Sequence, residues 1–399
     1  MSGKGSMSRE KSDRSISSPV TNDISPPIAG PFKGLSIQDK LLSPFILLAM
    51  ILGVIIGEFA PNVHNALDTA KFESVSLPIA IGLIVMMWPV LTKVQYETLP
   101  AIFSTARLWK HIAISVILNW VIGPFVMLAL AWATLPDLPT YRTGVIMVGI
   151  ARCIAMVVIW NDLAGGDADY CAILVVVNAA FQIVLYSPFS VLFINVIGGN
   201  KQQSLHVSYG MVAISVLIYL GIPLLAGIVT RYGIILLAGK DFFTKRFLPI
   251  FSPLSLIGLL YTIIVLFAYQ GHRIIHNLGP VFRVFVPLIL YFVIMWTSTF
   301  GLIYHLARRE VPQAAHDRVY GYETAVVQAF TAASNNFELA IAVAIAVYGV
   351  NSEQALAATI GPLIEVPVLL ALTWVALYLR HKLNWVKPSC DLEAPEKVL

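Results

Sequence analysis

The chain has 399 residues, of which 58% are hydrophobic and only 12% are charged, about half the ~25% charged share of an ordinary soluble domain. So few charges cannot clothe a soluble fold of this length, which excludes a soluble enzyme or a nucleic-acid binder, and the apolar content excludes disorder for most of the chain. The net charge is +4 and there are three cysteines, too few for a disulfide framework; the chain reads as an all-α, multi-spanning membrane protein in a lipid bilayer.

Residues 1–36 are rich in Ser, Lys, Arg and Pro and hold no apolar run of signal-peptide type, so they read as a disordered tail. Ten apolar segments follow: Leu41–Phe59, Leu77–Leu91, His111–Thr134, Gly144–Trp160, Tyr170–Ile197, Tyr209–Val229, Leu248–Tyr269, Val284–Leu306, Thr324–Tyr348 and Ala355–Leu379. A helix needs about 20 apolar residues to span a bilayer, and lipid admits only helices or closed barrels. The alternating ten-residue pattern of a barrel is absent. Pro188 is expected to kink the fifth segment. A second tail is expected at 381–399.

The basic residues give the orientation. With the tails and even-numbered loops on one side, that side collects 20 of the 26 Lys and Arg; the other side has five, and Arg152 lies inside a segment. This bias places both termini in the cytoplasm. A weak internal repeat relates the halves 37–206 and 207–380. Leu77-Pro78-Ile79 corresponds to Leu248-Pro249-Ile250, Leu118-Asn119-Trp120-Val121-Ile122 to Leu290-Tyr291-Phe292-Val293-Ile294, and Gly53-Val54-Ile55 to Gly227-Ile228-Val229, at offsets of 171, 172 and 174. A repeat of five helices must place its second copy inverted, as in many secondary transporters, whose sites lie at the midplane.

Ionisable residues at that depth are costly and mark function. Arg152 is central in segment 4, Glu338 in segment 9 and Glu365 in segment 10. If segments 4 and 9 meet at the pseudo-two-fold axis, Arg152 faces Glu338 with Glu365 nearby, and one base for two acids leaves a carboxyl free to carry a proton. Ser334-Asn335-Asn336-Phe337-Glu338 predicts a break in segment 9, because Ser and Asn compete for backbone hydrogen bonds. Segment 4 has no Pro or Gly at Arg152, so a break there follows only from the repeat. Cys153, beside the Arg152 guanidinium, is expected to have thiolate character and to suit thiophilic species. The alternative is a small buried hydrophobe. The eight histidines show no metal-ligand spacing. No P-loop, G-x-S-x-G or H-E-x-x-H motif occurs, so no ATPase, no hydrolase and no cofactor is expected.

Ala151-Arg152-Cys153-Ile154-Ala155-Met156-Val157, the run to Trp160-Asn161, and Asn335-Asn336-Phe337-Glu338-Leu339-Ala340 resemble the arsenite efflux permeases of bacteria and fungi. So do Pro78-Ile79-Ala80-Ile81-Gly82-Leu83 and Pro362-Leu363-Ile364-Glu365-Val366-Pro367. That family belongs to the bile acid/sodium symporter superfamily. The resemblance spans about Leu41 to Leu379, and the long Ser-rich tail leans towards a fungal member. It implies ten helices as two inverted five-helix repeats, with discontinuous helices 4 and 9 crossing at the midplane. It also implies export of arsenite, and of antimonite in some members, in exchange for protons across the plasma membrane. The thiol that binds arsenic would be Cys153, and the proton-coupling acids Glu338 and Glu365. Arg152, Asn119, Trp160, Asn178, Tyr291 and Asn336 would line the substrate site. Two alternatives stand beside this reading: a sodium-coupled symporter of organic anions on the same fold, and a membrane ligand sensor.

Overall fold

A computed structural model describes residues 42–60, 71–72, 75–98, 106–154, 156–198, 206–276, 278–310 and 319–385. The expected tail at 1–36, Cys390 and most of the loop between segments 8 and 9 lie outside these residues. The described chain is helical apart from two paired two-residue strands, β1 (Lys71–Phe72) and β2 (Val75–Ser76).

Segments 1 and 2 are α1 (Leu42–Phe59) and α2 (Leu77–Lys93). Segment 3 is α3, which runs from Ala106–Val116 through a wide π turn, Ile117–Ile122, into Gly123–Thr134. Segment 4 is two helices, α4 (Pro139–Ile150) and α5 (Met156–Ala164). Segment 5 is α6, Ala168–Ser190 extended by a π stretch, Val191–Val196, just after Pro188. Segment 6 is α7, made of Tyr209–Val216, a π turn at Leu217–Gly221, and Ile222–Ala238. Segments 7 and 8 are α8 (Pro253–His276) and α9 (Leu278–Arg309). Segment 9 is again two helices, α10 (Tyr322–Ala333) and α11 (Phe337–Tyr348), and segment 10 is α12 (Glu353–Lys382). Among the described residues six helical runs are long and apolar enough to cross a membrane, so the chain is a multi-pass membrane protein. The π turns of α3 and α7 each end two residues before a proline, Pro124 and Pro223, which has no N–H to continue the regular ladder.

The connection between segments 6 and 7 is not the long loop expected. Helix α7 runs to Ala238, Gly239 turns at φ 86°, and residues 240–251 are helical turns. Arg231, counted above as a loop charge, is therefore buried inside α7. Its Nε donates to both Glu97 carboxylate oxygens at 3.0 Å, and its Nη1 to the Thr92 and Lys93 carbonyls at 3.3 Å. Those carbonyls close α2, where the helix has run out of partners of its own. Arg142, counted on the opposite side, is likewise buried in α4. It bonds the Leu135 and Pro136 carbonyls at 3.1 and 3.0 Å and lies 3.6 Å over the Trp132 ring. Both arginines serve structure, and removing one from each side leaves the charge bias as it was.

Helix α8 packs on α1 and α2, and α7 packs on α2; α3, α4, α5, α6, α9, α10, α11 and α12 pack chiefly among themselves. The spacing of Gly53 and Gly57 lets α1 lie directly on α8: a Cβ at Gly57 would stand 2.3 Å from the Ala268 carbonyl oxygen. This is the small-residue packing used between membrane helices.

The two broken segments cross. The backbones of Arg152 and Asn335 form an isolated antiparallel bridge. The Asn336 N–H donates to the Ala151 carbonyl at 3.2 Å. The Asn335 side-chain amide donates to the Val148 and Ala151 carbonyls, both at 3.0 Å. Each break thus satisfies backbone groups that the other leaves open, as the apolar interior requires. This explains why segment 4 unwinds at Arg152 without a proline or glycine there.

Candidate functional site

Four helix ends converge on the crossing: the C-termini of α4 and α10 and the N-termini of α5 and α11. N-terminal ends carry partial positive charge and favour anions; C-terminal ends favour cations. The side chains follow this rule. Glu338 lies in the first turn of α11, and the Asn336 side chain caps that helix by accepting the Leu339 N–H at 3.1 Å. The Cys153 thiol sits against the backbone N–H groups of Val157 and Met156, at the start of α5. Arg152 turns the other way. Its Nη1 donates to the Tyr291 hydroxyl at 2.7 Å, and that hydroxyl donates to the Ala332 carbonyl at 3.3 Å, in the last turn of α10. Gly123 makes room for the pair: a Cβ there would stand 2.8 Å from Arg152 Nη1 and 3.0 Å from the Tyr291 oxygen.

The expected pairing of Arg152 with Glu338 is therefore not what the fold builds. Among the described residues neither acid forms an ion pair with Arg152. In extended backbone successive side chains point to opposite faces. Arg152 is sent towards Tyr291, and Cys153 towards the acids; the charges acting on the thiol are those of Glu365 and Glu338. Sequence adjacency to Arg152 does not make the guanidinium a partner of the thiol, which corrects the basis given above for thiolate character.

The two acids differ in access. Glu365, between Pro362 and Pro367 in α12, is buried at 2% exposure, whereas Glu338 is only partly buried. The Glu365 carboxyl faces the Asn335 backbone N–H and the Ser334 hydroxyl. Of the remaining expected residues, Asn119 donates to the Ser115 carbonyl and hydroxyl at 2.8 and 3.1 Å, and Asn178 accepts from Trp120 Nε1 at 3.2 Å. Asn119 is thus held within α3, and Asn178 in the α3–α6 contact. Trp160 is buried in α5 with no partner for its Nε1.

Gln182 of α6 was not among the expected site residues, although its polarity in an apolar helix was the available signal. Its Oε1 accepts the Arg152 backbone N–H at 2.5 Å. Around the crossing, several buried polar atoms have no partner among the described residues: Arg152 Nε and Nη2, Gln182 Nε2, Asn336 Nδ2 and Glu365 Oε1. Native proteins leave few such atoms, and a concentration of them marks a place built to meet something else. A cavity of about 250 Å³ is lined by Ile154 and Met156, next to the crossing in sequence, and Lys93, Gln95, Asp162 and Ser255 add polar groups. The acidic turn after α5 is structural, since Asp167 caps α6 by accepting the Tyr170 N–H at 2.9 Å. No cluster of metal-ligand type occurs among the described residues.

Crossed, broken helices with free backbone ends and buried ionisable groups, inside a multi-pass bundle, define a membrane transporter. Residues 80–277 match the Sodium Bile acid symporter family. The chain is 42% identical to the arsenical-resistance protein Acr3 of Corynebacterium glutamicum, over 88% of this chain and 91% of that protein. It is 33% identical to an uncharacterized transporter of Synechocystis (88% and 92% covered) and 29% identical to Acr3 of Alkaliphilus metalliredigens (88% and 95% covered). The chain belongs to the arsenical-resistance transporters of the sodium bile acid symporter family.

Proposed function

We propose that the protein exports arsenite, and antimonite by the same chemistry, from the cytoplasm across the plasma membrane in exchange for protons, and so confers metalloid resistance. The observation that carries this reading is the Cys153 thiol, held at the N-terminus of α5 beside Glu365 and Glu338. The fold is read as two inverted five-helix repeats, 37–206 and 207–380, with both termini cytoplasmic. Supporting this are the sequence offsets, the charge bias and the fact that segments 4 and 9 are the two that break.

Arsenite at neutral pH is the uncharged trihydroxide, and its arsenic is thiophilic. Entering by the cavity at Ile154, it meets Cys153 and exchanges one hydroxyl for sulfur; the thiol hydrogen leaves with that hydroxyl as water. A single As–S bond is reversed by water, which suits a carrier better than a three-thiol trap. Asn336 Nδ2 and the free Arg152 nitrogens are donors for the remaining hydroxyls. Protons reaching Glu338 and Glu365 from outside then bias the rocking of α1, α2, α7 and α8 against the other helices.

Arsenite accumulation in cells lacking their own exporter tests the reading. Accumulation should fall when this chain is expressed and return with Cys153→Ala. Export by Cys153→Ala at the wild-type rate would overturn the thiol role. Unaltered proton-driven uptake into inverted vesicles by both Glu338→Gln and Glu365→Gln would overturn the coupling. Transport that needs sodium would favour a sodium-coupled symporter instead.

A further inference from the structure

Gln182 and Glu365 occupy matching places. Gln182 lies on the helix after the first break and accepts the backbone N–H of Arg152, thirty residues earlier, at 2.5 Å. Glu365 lies on the helix after the second break, and its carboxyl faces the backbone N–H of Asn335, also thirty residues earlier in the sequence. Arg152 and Asn335 are the two residues that bridge one another. Both helix residues are fully buried, and each keeps one polar atom without a partner among the described residues, Gln182 Nε2 and Glu365 Oε1.

We infer that Gln182 and Glu365 are a matched pair of clamps on the two helix breaks: Gln182 a permanent clamp on segment 4, Glu365 a clamp on segment 9 that a proton releases. An amide oxygen accepts an N–H at any pH. A carboxylate accepts more strongly, but once protonated it presents a donor and a weaker acceptor. The break at Ser334–Asn336 is therefore held while Glu365 is ionised and loosened when it is neutral; the break at Ala151–Cys153 is held throughout. The groups that face Glu365 are Glu338 from α11 and Cys153 from the other break. Among the described residues no basic side chain acts on it from α1, α4, α5, α8, α9 or α10, which also pack on α12. The asymmetry gives the moving proton a single lever, in one half of an otherwise paired structure. The proton's role in transport rests on the exchange proposed above; the clamps do not.

The test uses the full chain, purified and reconstituted, as wild type, Gln182→Glu, Glu365→Gln and the double variant, with melting temperature and arsenite flux followed against pH. Relative to Glu365→Gln, which keeps the titration of Glu338 and of the Asp137–Arg283 pair, wild type should show one further pH step, Gln182→Glu a second, and the double variant one. Gln182→Met, which has no acceptor, should lower flux roughly tenfold at every pH. A double-variant profile that matches Glu365→Gln, or a Gln182→Glu profile identical to wild type, overturns the proposal. If the melting steps appear as stated but wild type moves no arsenite, the transport reading fails and the clamps stand. Hydrogen exchange decides the matter if Gln182→Glu does not fold. Residues 151–154 should exchange faster in Gln182→Met, and residues 334–336 faster on acidification in wild type but not in Glu365→Gln; unchanged exchange at both breaks overturns the proposal.

Discussion

Arg152 and Tyr291, 139 positions apart, form the only bond that the Arg152 guanidinium makes among the described residues: Nη1 to hydroxyl, 2.7 Å. The tyrosine passes the contact on to the Ala332 carbonyl at the end of α10. A charge that cannot be neutralised by losing its proton is thereby tied to the electronegative end of a half-helix through a neutral intermediary. Its remaining donors stay available to cargo. Tyr291→Phe should leave the guanidinium without any bonded partner. A buried bond to a charged group is worth about 1.5–3 kcal/mol, so arsenite flux in inverted vesicles should fall at least roughly tenfold. A wild-type rate would show that Tyr291 does not position Arg152.

Gly123→Ala should act through the same pair, because its methyl would stand 2.8 Å from Arg152 Nη1. The double variant Gly123→Ala/Tyr291→Phe should lose little more than either single variant, since both break one contact. Gly301→Ala is the control: nothing lies within 4 Å of a Cβ there, and its melting temperature should be unchanged or slightly higher. Full additivity at positions 123 and 291 would separate the two residues.

Asn335→Leu keeps the side chain's bulk and removes both amide donors. The Val148 and Ala151 carbonyls, each bonded to the Asn335 amide at 3.0 Å, would keep only their backbone donors, the Ala151 and Asn336 N–H groups. Two lost bonds of about 1 kcal/mol each should lower the melting temperature, and alkylation of Cys153 by a small maleimide should become faster as the break loosens. If melting and labelling both match wild type, the break at segment 4 does not depend on Asn335.

Asp137 lies outside the spanning helices, between α3 and α4; Arg283, near the start of α9, bonds it at 2.5 and 2.7 Å and holds its carboxyl at about 2, well below the usual carboxylate range. A lowered folded-state value means that the contribution is present above the unfolded pKa, near 3.9, and is lost as pH falls through about 2. The melting temperature of Asp137→Asn should therefore sit below wild type by a constant amount from about pH 5 upwards, and the two should converge as pH falls from about 4 towards 2. Because the pair is exposed, added salt should shrink the gap. A gap that widens in acid would contradict the assignment.

Membrane embedding and the helical course of the apolar segments were legible in the sequence because both depend on local apolarity and length. The break in segment 9 was legible as well, since Ser334, Asn335 and Asn336 disfavour a helix by their own chemistry. The break in segment 4 was not. Ala151, Arg152 and Cys153 unwind because Asn335 and Asn336 offer their backbone and side chain as partners, and that exchange exists only once the segments cross. Arg231 and Arg142 read as loop charges for a similar reason: each answers the open carbonyls of a helix end that no local pattern places beside it.

The sequence by itself determined that this is a multi-pass helical protein with one base, two acids and one thiol near the middles of apolar segments, where a charge is costly. Tertiary structure alone decided which of those groups meet. It turned Arg152 to Tyr291 and Cys153 to the acids, since extended backbone sends neighbours to opposite faces. It also brought in Gln182, whose role depends on the Arg152 N–H that the break set free.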